Sequence, residues 1–387
     1  MRITSIEPTP SPHSMKINVS ERLADGETLN YKSTDDLSDA PQYIKNLLAI
    51  DGIINIYRVV DFITIARHPR TPWEEILPDV RNVLGTEEKE NTLEFLPAHT
   101  SDEDTSFGAI QVFFQMFRGI PLQVKLHDGQ EERRVGLPKI FTEAAMEAAP
   151  SSPNIIMERE WVEQGVRYGS LEKISDIVVE ELAASYDEER LNKLVKLAFQ
   201  ADGEKKRRDL MSEKVTLEML NDPDWRKRYA ALDRMVEPTV DDLPVLDKAL
   251  DDERSSVRRL ATAYLGMIDD KAVLPYLYKA LKDSAANVRR TAGDCLSDLG
   301  YIEAMPEMID TLKDDNRIVR WRAAMFLYEV GDESAIPALE AAQDDPEFEV
   351  RLQINLALER IKGGYQAKGS IWQQMTEATS SNHQTDH

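Results

Sequence analysis

The chain has 387 residues, 42% of them hydrophobic, with 70 acidic against 47 basic side chains and a formal charge of −23. This length supports two or three domains with real cores, and the negative balance argues against general binding to nucleic acid or an anionic membrane, both of which need cationic surface. The single cysteine, Cys295, excludes an intramolecular disulfide and a cysteine-only metal site, and with no run approaching roughly 20 apolar residues the expectation is a cytoplasmic protein without a membrane segment.

In residues 1 to 97, Ile3 and Ile6 alternate, Pro8, Pro10 and Pro12 follow, and Met15, Ile17 and Val19 alternate again. That pattern predicts two strands joined by a stiff extended loop, with the prolines and His13 fixing the connection. Ile44, Leu47 and Leu48 predict a helix that stops at Asp51-Gly52. Two β-branched runs, Ile53–Val59 and Phe62–Ala66, predict a hairpin. Thr71-Pro72-Trp73-Glu74 has the form of a capping box opening a helix that runs to Gly85. The expected order is strand, strand, helix, strand, strand, helix.

The segments from Glu7 to Lys16, Ile50-Asp51-Gly52-Ile53 and Asp61-Phe62-Ile63-Thr64 resemble the N-terminal domain of Nfu-type iron–sulfur scaffold proteins over about the first 90 residues. In such scaffolds the cluster belongs to a separate domain with a Cys-x-x-Cys motif, and this chain has none. One cysteine does not supply the thiolates a cluster needs. The resemblance therefore implies a docking or accessory module.

In residues 98 to 211, Ser101-Asp102-Glu103-Asp104 predicts an acidic linker, and the apolar Phe107–Phe117 precedes an alternating strand from Ile120 to Leu126. A small α/β unit followed by amphipathic helices is expected. Gly165-Val166-Arg167-Tyr168-Gly169 admits two readings. Arg167 could hold an anion beside backbone that glycine leaves approachable, or the segment is a turn between helices with Arg167 in a structural ion pair, the reading we favour. Arg167 and Tyr168 stand as candidate partner-binding residues.

From 212 to 362 the chain repeats. Asp252, Asp283, Asp314 and Asp345 each stand five residues ahead of a Val-Arg pair ending in Arg258, Arg289, Arg320 or Arg351, in steps of 31 residues. Pro244, Pro275, Pro306 and Pro337 keep the same step. Two helical patterns per unit at such a period predict an α-solenoid. Each aspartate is expected to cap a helix start, and each arginine to bridge to the aspartate of its own or an adjacent repeat, so that the regular charges fasten the stack. Asp222 with Arg228 marks a degraded first unit, and Ile354 in the alanine place marks the last. Partner binding is expected where repeats differ at exposed places: Lys248, Lys279 and Asp310 in one column, Tyr276 and Glu307 in another. The Asp-x-x-x-x-Val-Arg pattern resembles HEAT-like repeats of the short type found in phycobilin lyases. In whole-chain order the sequence is similar to the conserved virulence factor C family, which implies a role in virulence- or stress-related output and brings no catalytic residues.

Motifs for phosphate loops, dinucleotide binding, a nucleophile elbow or a zinc protease are absent. His383 and His387 lie in a polar tail, residues 363 to 387, expected to be disordered, and Cys295 reads as a packed small residue. The expected fold is multidomain α+β: an N-terminal α+β domain, a linking α/β and helical region, and a C-terminal α-solenoid. The expected function is a non-enzymatic adaptor for a protein partner, without cofactor or metal. The alternative is an accessory factor in iron–sulfur cluster assembly or transfer that holds no cluster itself.

Overall fold

The computed structural model describes residues 1–9, 11–24, 27–69, 71–85, 109–129, 131–200 and 214–365. The acidic stretch Ser101–Asp104, His383, His387 and the tail beyond residue 365 lie outside them. The fold is multidomain α+β, and the chain divides into two compact units: Met1–Phe107 with Leu296–His387, and Gly108–Cys295.

The N-terminal domain contains β1 (Ile3–Pro8), β2 (Ser14–Val19), β3 (Thr28–Lys32), α1 (Gln42–Leu48), β4 (Ile53–Val59), β5 (Phe62–Arg67) and α2 (Trp73–Leu84). Its sheet runs β1-β2-β5-β4-β3 with antiparallel neighbours. Period-two alternation puts Ile17, Ile56, Ile63 and Ile65 on one buried face, where they meet Ile44 and Leu47 of α1 and Trp73 and Ile76 of α2. Glycine is required at Gly52, whose φ is 87° and where a Cβ would lie 2.5 Å from the Thr71 side chain.

Two expectations fail in this domain. The strand β3 was not foreseen, because its inward face has only Leu29 and Tyr31, half-buried and too few to mark an alternation. The capping box does not form either. Pro72 is the N-cap of α2 and no side chain closes it; the Thr71 carbonyl accepts from Arg67, and Glu74 turns to Arg351.

The middle domain contains β6 (Ala109–Phe117), β7 (Ile120–His127), β8 (Glu132–Gly136), α3 (Lys139–Ala148), α4 (Ile155–Glu158), β9 (Glu160–Tyr168), α5 (Leu171–Ser185) and α6 (Glu188–Ala198). The antiparallel sheet β8-β7-β6-β9 covers one face with Phe141, Ile174, Val178, Leu182 and Leu194 from the helices. Here the turn expected at Gly165–Gly169 is replaced by strand: Gly165 to Tyr168 belong to β9, paired to β6. The side chains of this strand are exposed or half-buried throughout, so it lacks the buried alternation that marks a strand on a core.

The repeat helices are α7 (Trp225–Asp233), α8 (Leu243–Leu250), α9 (Ser255–Leu265), α10 (Leu274–Leu281), α11 (Ala286–Leu299), α12 (Met305–Thr311), α13 (Arg317–Val330), α14 (Ile336–Ala341) and α15 (Phe348–Lys362). The four periodic prolines sit in the first turns of α8, α10, α12 and α14, where the missing N–H costs no helical bond. Ala261, Ala292 and Ala323 are wholly buried, as small residues at close helix contacts must be. Asp314 does not cap its helix: Asn316 does, and the Asp314 carboxylate instead accepts the Asn316 N–H at 2.7 Å.

Candidate interaction surfaces

Arg228, Arg258 and Arg320 each make two kinds of bond. Arg258 donates from Nε and Nη2 to the Asp283 carboxylate at 2.6 and 2.9 Å, and from Nη1 to the Asp252 carbonyl at 2.8 Å. Arg228 pairs with Asp252 at 2.6 and 2.9 Å, and Arg320 with Asp345 at 2.6 and 3.0 Å. So the carboxylate bridge goes to the following repeat, while the repeat's own aspartate supplies only its carbonyl. Arg289 and Arg320 likewise bond the carbonyls of Asp283 and Asp314 at 2.9 Å. The fork-to-carboxylate geometry is the charge-assisted, two-bond arrangement that arginine favours, and the bond to Asp283 holds Arg258 above its ordinary pKa.

The variable positions are also engaged. Lys248 bonds the Leu217 carbonyl at 2.9 Å and the Asn221 side chain, and Lys279 pairs with Asp247 at 2.9 Å and Asp251 at 2.8 Å. Lys279 is exposed, and Lys248 and Tyr276 are half-buried.

A different column meets the α/β domains, the residue after an Arg of the array, at four of its five places: Tyr229, Arg259, Arg290 and Leu352. In the second unit, Arg259 Nη2 and Arg167 Nη2 lie 3.2 and 3.3 Å from the Glu181 carboxylate. Arg290 stacks on Tyr168 with its guanidinium carbon 3.9 Å from the ring centroid, donates to the Val166 carbonyl at 3.5 Å and pairs with Asp294 at 2.9 Å. Burial holds Arg167 below its ordinary pKa, helped by Arg259, and burial pushes the Tyr229 phenol up beside Glu181. Arg167 thus meets Glu181 of α5, which also holds Arg259 of α9, and Tyr168 meets α11.

In the first unit, Leu352 with Phe348 and Leu356 of α15 enters the core of the N-terminal domain. Arg67, 0% exposed, donates to the carbonyls of Pro69 and Thr71 and meets Glu349, 8% exposed, at 2.6 Å. Trp73 Nε1 donates to the Pro12 carbonyl at 2.9 Å, which fixes the proline loop. His13 is held down to about 3, first by burial and then by the neighbouring Arg67 and His68. Sequence reasoning missed Arg67, Glu74 and Glu349. A signal for the docking face was present: Phe348, Leu352 and Leu356 replace Ser255, Arg259 and Ala263 of an earlier repeat. Cys295 is buried, donates weakly to the Thr262 carbonyl at 3.4 Å, and leaves no room for a side chain at Gly266. Among the described residues, no group of three or more His, Cys, Asp or Glu could hold a metal, and no helix is long and apolar enough to cross a membrane.

Paired helices at a 31-residue step, fastened by arginine to aspartate, define a HEAT-repeat protein carrying two α/β domains. Comparison with known proteins agrees. The model for HEAT repeats matches residues 213–293 and 275–359, that for the N terminus of the scaffold protein Nfu/NifU matches residues 3–92, and that for "Virulence factor" matches residues 115–195. The chain is 48% identical over 380 residues to "Conserved virulence factor C" of Staphylococcus aureus (strain MRSA252), covering 98% of this chain and 100% of that one. It is 41% identical over 386 residues to the protein of that name from Staphylococcus saprophyticus, with 98% and 100% covered. The Bacillus subtilis (strain 168) relative, "Uncharacterized protein YpgR", is 58% identical over 379 residues, with 98% and 99% covered. The chain belongs to the conserved virulence factor C family. Among solved structures, protein SAV1430 from Staphylococcus aureus is 35% identical over 21% of this chain and 98% of its own, with a TM-score of 0.20.

Proposed function

We propose that the chain is a non-enzymatic adaptor, resembling a regulator of virulence- or stress-related output, that holds a protein partner on its repeat helices. The supporting observation is how the array spends its side chains. Its regular arginines and aspartates bond repeat to repeat, and the next column is taken by the chain's own domains. What stays outward and differs between repeats lies on the proline-led helices, where Lys248, Tyr276 and Lys279 are the contacts we assign. In this reading Arg167 and Tyr168 position the middle domain and do not touch the partner.

The test is crosslinking in the native cell with the full chain, wild type against Tyr276→Ala/Lys279→Glu. A protein recovered with the wild type and lost with the variant, at unchanged melting temperature, supports the reading. Identical recovery from both refutes it. The alternative, an accessory role in iron–sulfur cluster assembly or transfer without holding a cluster, draws on the likeness of residues 3–92 to the Nfu/NifU N terminus. Recovery of cluster-assembly proteins in the same crosslinking would favour it.

A further inference from the structure

The array has two kinds of turn, and they treat their charges differently. At one end of the helices the carboxylates are matched, Asp252 by Arg228 and Asp283 by Arg258. At the other end lie the turns that join α7 to α8, residues 234 to 242, and α9 to α10, residues 266 to 273. These two turns carry Glu237, Asp241, Asp242, Asp269 and Asp270 against Arg234 and Lys271, and Arg234 is already drawn to Asp187, at 3.5 Å. Among the described residues Glu237, Asp241, Asp242 and Asp270 form no ion pair; Asp242 accepts from Thr239, and Asp270 from the Ala272 N–H.

The same turns expose apolar side chains. Val236 is 50% exposed, Val240 43% and Met267 62%, while Met235 and Ile268 beside them are buried. A lone exposed apolar side chain is ordinary on a protein surface. Here Val236 and Met267 stand 31 residues apart (267 minus 236), at one place in consecutive repeats whose helices α7 and α9 pack side by side. Packed helices lie roughly 8–10 Å apart, so the two side chains form a row along the turn edge.

That spacing and charge select an occupant. Residues i and i+7 of an α-helix share a face and lie about 10 Å apart. The row from Val236 to Met267 therefore matches two side chains of a helix lying across the two repeats, with Val240 in the same turn as the first. Carboxylates with no cation of their own match lysine or arginine on the flanks of such a helix, and they repel nucleic acid and anionic lipid. These turns contain no strand whose main chain an extended segment would pair with.

We propose that the turn edge at Val236, Val240 and Met267 is a docking site for a basic amphipathic helix of a partner protein. The apolar stripe of that helix, at i, i+3 or i+4 and i+7, lies on Val236, Val240 and Met267, and its lysines or arginines reach Glu237, Asp241 and Asp270. None of these residues belongs to the contacts assigned above to Lys248, Tyr276 and Lys279, so this site stands or falls apart from them.

The experiment measures fluorescence anisotropy of labelled peptides with the full-length protein. One probe is a Leu/Lys helix of two heptads with leucine at the stripe positions. A second has the same residues in scrambled order, which keeps the charge and abolishes the apolar face. A third has glutamate in place of lysine. The expected result is that the Leu/Lys helix binds at least tenfold more tightly than either other peptide. Val236→Ser with Met267→Ser should remove that preference, and Glu237→Lys with Asp241→Lys should weaken binding at least tenfold, both at an unchanged melting temperature because these side chains are exposed. Glu160→Lys with Glu163→Lys, an equal change of charge on β9, should leave binding as it was. Equal binding of the scrambled peptide, or an equal loss in the β9 variant, would mean that the acidic chain attracts any cation, and would overturn the proposal. So would undiminished binding by the Val236/Met267 variant, equal binding of the Leu/Glu peptide, or no binding at all. If a turn variant does not fold, hydrogen exchange of the wild type decides: the Leu/Lys helix should protect residues 234 to 242 and 266 to 273, and protection only elsewhere would overturn the proposal.

Discussion

Arg351 donates to Glu74 at 2.9 Å, in the place where Arg228, Arg258 and Arg320 donate to the aspartate of the next repeat. Its other bonds, from Nη1 to the carbonyls of Asp345 and Pro346 at 2.7 and 2.8 Å, follow the array. The N-terminal domain therefore takes the position of a following repeat and closes the stack, the task that terminal capping repeats perform in solenoids.

Deleting residues 1–85 uncovers Phe348, Leu352 and Leu356, each worth about 1.5–3 kcal/mol when fully buried. The truncated chain is expected to bind a hydrophobic dye and to lose hydrogen-exchange protection across residues 348–362. Unchanged protection there would show that α15 does not depend on the domain.

The Arg67–Glu349 pair is buried on both sides. Removing one charge strands the other, so Glu349→Ala should cost about 3–5 kcal/mol in urea unfolding. Replacing both, Arg67→Met with Glu349→Leu, should recover most of that loss, because a buried ion pair barely repays its desolvation. A double variant as unstable as the single one would contradict this account.

His13 supplies a pH dependence. Its folded pKa of about 3 lies below the ordinary 6.5, so its stabilisation is complete above pH 6.5 and shrinks as pH falls toward 3, by about 1.4 kcal/mol per unit. The groups facing it are Arg67 and His68, and Glu349, whose carboxyl is raised by burial, works in the opposite direction. The comparison is thus wild type against His13→Gln between pH 7 and 5. The wild type should lose stability faster on acidification, and parallel curves would show that His13 is not held neutral.

Within the array, Arg258→Ala removes charge-assisted bonds to Asp283, each worth about 1.5–3 kcal/mol. Arg258→Lys should restore only part of the loss, since an ammonium does not reproduce the two-bond fork. Urea midpoints of the three proteins check this, and full rescue by lysine would show that charge alone suffices.

The sequence displayed its array openly because a strict step and first-turn prolines survive any rearrangement of surfaces. The N-terminal hairpin was equally readable from Ile53–Val59 and Phe62–Arg67, where β-branched residues alternate inward. Edge strands were harder: β3 and the Gly165–Tyr168 end of β9 offer only two half-buried apolar side chains each, Leu29 with Tyr31 and Val166 with Tyr168. Ion pairs such as Arg67 with Glu349, 282 residues apart, leave no local trace. The docking column was legible in retrospect, since Tyr229, Arg259, Arg290 and Leu352 change character at a place where the adjoining arginine does not.

The seating of Phe348, Leu352 and Leu356 in the N-terminal core also sets an order of events during synthesis. The first 85 residues leave the ribosome more than 260 residues before these side chains exist, an interval of roughly 15–50 s at about 5–20 residues per second. For that time the domain holds its apolar seat open, and its finished form waits on the last repeat made.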